Sequence, residues 1–395
     1  MPHFDGMPLE RDPAVLSALY LGRIQSAVSQ ANDGAMIVLA GRLIRESLIT
    51  ALRQEGHAFT DERFFDWFAG LSTLSDVSAH KLRPPRALCQ AILTELRHNP
   101  WHHLAVASQR IGEAFLAPID LDRNEGHEDA NALLAEARAV ITAIEPCNTD
   151  LPFSPVAALF SAARQSLHFA RQERGIELIK GPRSAVAVEV GEQAHSRWAL
   201  DILAGGYLAP RHGLPFAAPL PGLLTLTFES SAAVDQDMPF TPSPSGRDRE
   251  SLTALCNALW SLDRFIQDAI RDAGCIADKL QSCRSNGRAG DVAGYLAGFG
   301  TLRGVQIEKV IGASRLGVRT IMATLAQAGL VEGETSRNAA TMHRFAPREV
   351  VHAQAVQDQE DFAFSSQAID EFQSSMDAID ELLRRSSPRP SEGES

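Results

Sequence analysis

The chain has 395 residues, a formal net charge of −12, 45% hydrophobic and 22% charged side chains. It is too long for one ordinary core and apolar enough for two or three, and its acidity excludes a general polyanion binder while leaving room for a local basic patch. The five cysteines (Cys89, Cys147, Cys256, Cys275, Cys283) include no CxxC pair, which excludes a zinc knuckle and a disulfide framework and suits a reducing compartment.

The N-terminal MPHFDGMPLERDP lacks the apolar run of a signal peptide. The longest apolar tract, 202–228, is interrupted by Arg211, His212 and four prolines, so no membrane span is expected. A cytoplasmic protein without a membrane partner is the expectation.

Residues 1–125 read as a helical region. AMIVLAGRLIRESLITALRQEG places Leu39, Leu43, Leu48 and Leu52 at helical spacing, and Gly56 follows as a stop. DERFFDWFAGLSTL and RPPRALCQAILTELRHNPW supply two more amphipathic stretches, the second opened by two prolines and closed before Pro100. His98, His102 and His103 form a small cluster, but Pro100 prevents a shared helix face and no thiol or carboxylate stands beside them in sequence, so no metal is expected.

A second helical region is expected over 126–229, with SPVAALFSAARQSLHFARQERG its clearest helix and SAVAVEV a short strand. Residues 230–250 are rich in Pro and Ser and read as a linker. Helix resumes over 251–290, where Leu255, Leu259, Leu262, Phe265 and Ile266 form one stripe.

Residues 291–347 carry the functional signal: the layout of a winged helix-turn-helix. VQIEKVIG predicts a short helix, Gly312 the turn, and Ser314 the cap of the next helix. Within that helix Val318, Ile321, Met322 and Leu325 share one face, while Arg315, Leu316, Arg319, Thr320, Ala323, Thr324 and Gln327 share the other. Gly329 ends it, and the segments around Leu330–Thr335 and MHRF suit a two-stranded wing. This stretch holds six basic residues against four acids, a net +2 within an acidic chain, as a phosphate-facing surface requires. Arg315 and Arg319 would face base edges beside Ala323, with Leu316 against a thymine methyl, and Arg337 and Arg344 would meet phosphates. The alternative is an ordinary helical hairpin with solvated arginines.

A second candidate role for Ser314, a nucleophile on a G-x-S-x-G elbow, fails on spacing. After Gly312 and Ser314 the motif needs a glycine at 316, and Gly317 comes one place late; the segment before it also reads as helix rather than strand. No catalytic residue, cofactor or enzymatic activity is expected.

GASRLGVRTIMATLAQAGLVEGETSRN followed by MHRF resembles the C-terminal winged helix of Fic-type proteins and of a rhizobial, often plasmid-borne family with an N-terminal region of unknown function. The matching positions are Ala313, Ser314, Leu325, Gly329, Leu330, Thr335, Arg337 and Phe345. Two further patches, RLIRESLITALRQEGHAFTDERFFDWFAG and ILAGGYLAPRHGLPFAAPLPGLL, resemble the rhizobial family's N-terminal and middle regions. The Fic catalytic His and its glycine-rich phosphate loop are absent, SNGR at 285–288 lacking the first glycine. The resemblance implies a sequence-selective binder of double-stranded DNA, acting in transcription or plasmid maintenance. A helical protein–protein adaptor whose winged helix does not meet DNA is the other reading.

Residues 348–395 are acidic, net −7. Ile369, Phe372, Met376, Ile379 and Leu383 recur in steps of three and four, the pattern of a short homodimer seam or of a docked terminal helix. The fold expected is therefore mainly α, with a winged helix-turn-helix and a terminal amphipathic helix.

Overall fold

Twelve helices run through the computed structural model among its described residues, which are 12–74, 83–119, 129–145, 153–170, 175–180, 185–190, 196–224, 244–281, 287–335 and 340–347. The expected seam at Ile369–Leu383 lies outside them, as does Arg337.

The first helices begin where the sequence supplies caps. Asp12 accepts from the Ala14 N–H and Pro13 opens α1 (Pro13–Gln30); Asn32 accepts from the Ala35 N–H and opens α2 (Asp33–Gln54). Thr60 caps α3 (Asp61–Phe68). Then come α4 (Pro85–Leu96), α5 (His102–Glu113), α6 (Ala130–Thr142) and α7 (Ser154–Gln165). The last of these is shorter than its apolar rhythm predicts. Ser166 is extended and its hydroxyl accepts from the His168 N–H, a local bond that competes with another helical turn.

Strands β1 (Gly175–Lys180) and β2 (Ala185–Val190) pair antiparallel, Gly175 opposite Val190. Helix α8 (Trp198–His212) ends at Gly213 in the left-handed region. Helix α9 (Pro244–Leu280) starts inside the stretch 230–250 expected to be a linker, and the rest of that stretch lies outside the described residues. The winged helix-turn-helix follows: α10 (Gly287–Gly298), β3 (Leu302–Arg303), α11 (Gly304–Ile311), α12 (Arg315–Gln327), β4 (Val331–Thr335) and β5 (Thr341–Phe345).

Helix α2 is the centre of the packing. Val38, Leu39, Leu43, Ile44, Leu48 and Leu52 are all buried, together with Met36, Ile49 and Ala51 around the helix, and a helix apolar on most sides belongs inside. It packs against α9, α10, α5, α4 and α8. Its crossing with α10 is close because glycines sit at the contact: a Cβ on Gly298 would overlap the Val38 carbonyl oxygen, and one on Gly41 would come within 2.9 Å of the Phe299 nitrogen. Phe299, just past α10, joins an aromatic cluster with Phe64, Phe65 and Phe68 of α3, its ring centroid 4.9 Å from that of Phe68.

One apolar core thus runs from Ile24 to Val331, through all the stretches that the sequence presents as separate helical regions. The first helix of the winged module is also a core helix of the body.

The end of α2 is fixed by a polar cluster. Glu55, buried, accepts from Arg83 Nη1 (2.5 and 2.6 Å), Trp198 Nε1 (2.7 Å) and the Ser196 hydroxyl (3.2 Å). Ser196 itself is buried with φ 51°, a left-handed conformation that a non-glycine residue rarely adopts.

Of the clustered histidines, the rings of His102 and His103 meet edge to face at 6.0 Å, while His98 bonds back to α4. His98 Nδ1 is 2.8 Å from the Thr94 carbonyl and His103 Nε2 is 3.4 Å from Asp33 Oδ1. Among the described residues no three His, Cys, Asp or Glu side chains converge as metal ligands, and no helix is long and apolar enough to cross a membrane.

Candidate nucleic-acid interface

The turn between α11 and α12 is built as its residue types dictate. Gly312 takes φ 59° and ends α11, its N–H donating to the Glu308 carbonyl. Ser314 is extended (φ −70°, ψ 158°) and its Oγ accepts from the Gly317 N–H at 3.3 Å, capping α12. Gly317 has room for a Cβ at ordinary contact distance, so the helix does not need a glycine there. Val318 and Leu325 are buried and Ile321 and Met322 pack beside them. Strands β3, β5 and β4 form a sheet in that order, with Leu302 opposite His343 and Val331 opposite Phe345. Helix, strand, two helices and a two-stranded wing in this order define the winged helix-turn-helix class.

Ser314→Ala is expected to lower the unfolding free energy by about 1 kcal/mol, read as a lower urea midpoint at unchanged slope. An alanine variant as stable as the parent would show that the cap contributes nothing.

The outer side of α12 is open. Arg315, Leu316, Arg319, Thr320, Ala323 and Gln327 are exposed, and Thr324 is half-buried. Around the axis, at about 100° per residue, the buried Val318 and Leu325 lie at about 300° and 280° from Arg315. The direction opposite them, near about 110°, belongs to Leu316, Thr320, Ala323 and Gln327. Arg315 and Arg319 sit on the flank, at about 0° and 40°.

That flank borders a cleft of about 490 Å³ between the start of α11, α12 and β5. Its walls carry Arg303, Arg315 and Arg319, with Glu308, Met322 and His343. Burial pushes the His343 imidazole below its ordinary pKa, so at neutral pH it is uncharged and the three guanidinium groups supply the cleft's positive charge. Among the described residues neither Arg315 nor Arg319 forms an ion pair. Arg344 is different: exposed on the wing, it lies 3.5 Å from Glu332, its cross-strand partner.

What fixes this module in place cannot be seen in its own stretch of sequence. Gln306, fully buried, donates from Nε2 to the carbonyls of Phe68 (3.3 Å) and Ala114 (3.0 Å) and accepts from the Arg303 N–H (2.9 Å). Arg303 Nη1 donates to the Ala69 carbonyl, and Lys279 Nζ to the Gly329 carbonyl at the end of α12. The winged helix is bolted to the body by side chains that reach backbone carbonyls distant in sequence. A glutamine in a short amphipathic helix carries no local mark of that role.

No family model matches the sequence, and no curated protein does.

Proposed function

We propose that the protein binds double-stranded DNA by laying α12 in a major groove, and that it regulates transcription or plasmid maintenance in the cytoplasm. The observation that carries this reading is the pairing of an exposed, carboxylate-free side of α12 with a cleft walled by Arg303, Arg315 and Arg319. Arginine-lined concavity beside an open helix is what a phosphate strand next to a groove-bound helix requires. The resemblance to plasmid-borne helix-turn-helix proteins supports the same class.

The geometry favours a division of labour different from the one the helical wheel suggests by itself. Arg315 and Arg319 lean toward the cleft, so we assign them to phosphates, together with Arg303. Arg344 is a weaker candidate, since DNA must first displace Glu332 from it.

Arg319→Ala is therefore expected to weaken binding to selected and random duplexes alike and to reduce the slope of log affinity against log salt by about one. Anisotropy titrations of both duplexes at several salt concentrations measure this. A loss confined to the selected duplex, at unchanged slope, would mean that Arg319 reads a base. No loss on either would remove α12 from the interface.

A protein–protein adaptor is the second reading, favoured by the exposed strip of Leu316, Thr320 and Ala323 on the same helix, which a partner's apolar surface could cover. It predicts salt-insensitive behaviour and no duplex binding.

A further inference from the structure

The residues pointing straight out from α12 are not the charged ones. Leu316 is 74% exposed. Thr320 and Ala323 are exposed beside it. The Thr320 hydroxyl donates to the Leu316 carbonyl at 3.2 Å, and the Thr324 hydroxyl to the Thr320 carbonyl at 3.1 Å. Both hydroxyls are thus turned back onto the helix's own backbone, which leaves the Thr320 methyl as that residue's free surface. Three neighbouring side chains offer carbon to whatever α12 meets, while the arginines flank them.

A lone exposed leucine means little. A carbon strip lined on one side by guanidinium groups is more specific, because charge complementarity names a polyanion and the strip must then face the part of it that is not charged. On B-DNA that part is the groove floor. There the one apolar group is the thymine C5-methyl, and leucine, threonine-methyl and alanine contacts suit it. Guanine O6 and N7 and the cytosine amine would instead lose water to carbon and gain no hydrogen bond. The stretch of helix from Leu316 to Ala323 rises about 10 Å, the span of about three base-pair steps at about 3.4 Å each. Gln327, one turn further along the same line, carries the amide that pairs with adenine N6 and N7.

We propose, resting on the DNA reading above, that α12 recognises thymine methyls at two or three adjacent A·T pairs through Leu316, Thr320 and Ala323. Specificity is then a packing contact, and the arginines of the cleft set affinity without reading sequence.

The test is selection of duplexes from a randomised 30-base-pair pool by the full chain, followed by resynthesis of a winning duplex with deoxyuridine in place of thymidine. Uracil keeps every hydrogen bond and loses only the methyl. Enrichment of adjacent thymines is expected, with binding about fourfold weaker for each contacted methyl removed. Leu316→Ala, at an exposed position and with its melting temperature checked, is expected to bind the thymine duplex more weakly and to narrow the gap between thymine and uracil duplexes. Equal binding of the two duplexes by the parent protein, or enrichment of G·C pairs alone, would overturn the proposal while leaving DNA binding intact. Failure to retain any duplex would overturn the DNA reading itself.

Discussion

Glu55→Ala is expected to destabilise the protein by about 3–5 kcal/mol, the usual result of removing one partner of a buried ion pair. Glu55 and Arg83 have side-chain exposures of 3% and 14%, so the carboxylate is shielded from bulk water and its partner largely so. The carboxylate is also the acceptor for the Trp198 indole N–H and the Ser196 hydroxyl. Its loss therefore weakens the joint between the end of α2 and the start of α8, and with it the restraint that holds Ser196 at positive φ. Glu55→Gln keeps the volume and one acceptor oxygen, and is expected to lose less. Urea unfolding of the three proteins measures the difference. A loss under about 1 kcal/mol for the alanine variant would mean that water replaces the carboxylate, against its burial.

Gly205→Ala is expected to be comparably damaging, for a steric reason. A Cβ at that position would overlap the Ala218 carbonyl oxygen. The segment carrying Ala218 cannot simply withdraw: the Asp201 carboxylate accepts from the N–H groups of Gly222 and Leu224, and its carbonyl accepts from the Leu220 N–H. Overpacking alone costs about 1–3 kcal/mol, and shifting this segment adds lost hydrogen bonds. Gly206, the next residue, is exposed, and a Cβ there would meet nothing within 4 Å. Gly206→Ala is therefore expected to be neutral or to stabilise by up to about 1 kcal/mol, through helix propensity. Melting curves for the two variants, run side by side, separate close packing from propensity. Equal effects would contradict the tight contact at Gly205.

The parts of this fold that are legible in the sequence are those governed by near neighbours. Ser314 caps α12 and Gly312 turns the chain because a hydroxyl and a missing Cβ act within three residues, and the sequence shows both. Of the stripe Leu255, Leu259, Leu262, Phe265 and Ile266, four are buried as the period predicts and Phe265, at its edge, is half-buried against the same core. What is not legible depends on partners far along the chain. GIELIK becomes a strand opposite AVAVEV, and the alternation of one gives no hint of the other's register. Gln306 is buried because Phe68 and Ala114 present carbonyls to it. The lean of Arg315 and Arg319 toward a cleft depends on where β5 and Arg303 lie, and a helical wheel contains neither. The wheel separates inside from outside on α12; the wing decides which edge of the outside faces charge.

The most direct test is the salt dependence of binding to a random-sequence duplex by the full chain. If Arg303, Arg315 and Arg319 each engage a phosphate, affinity should fall roughly 40-fold between about 50 and 200 mM monovalent salt, from a slope of about −0.9 per phosphate. Binding that does not change over that range, or no binding at the lower salt, would contradict a DNA-binding α12.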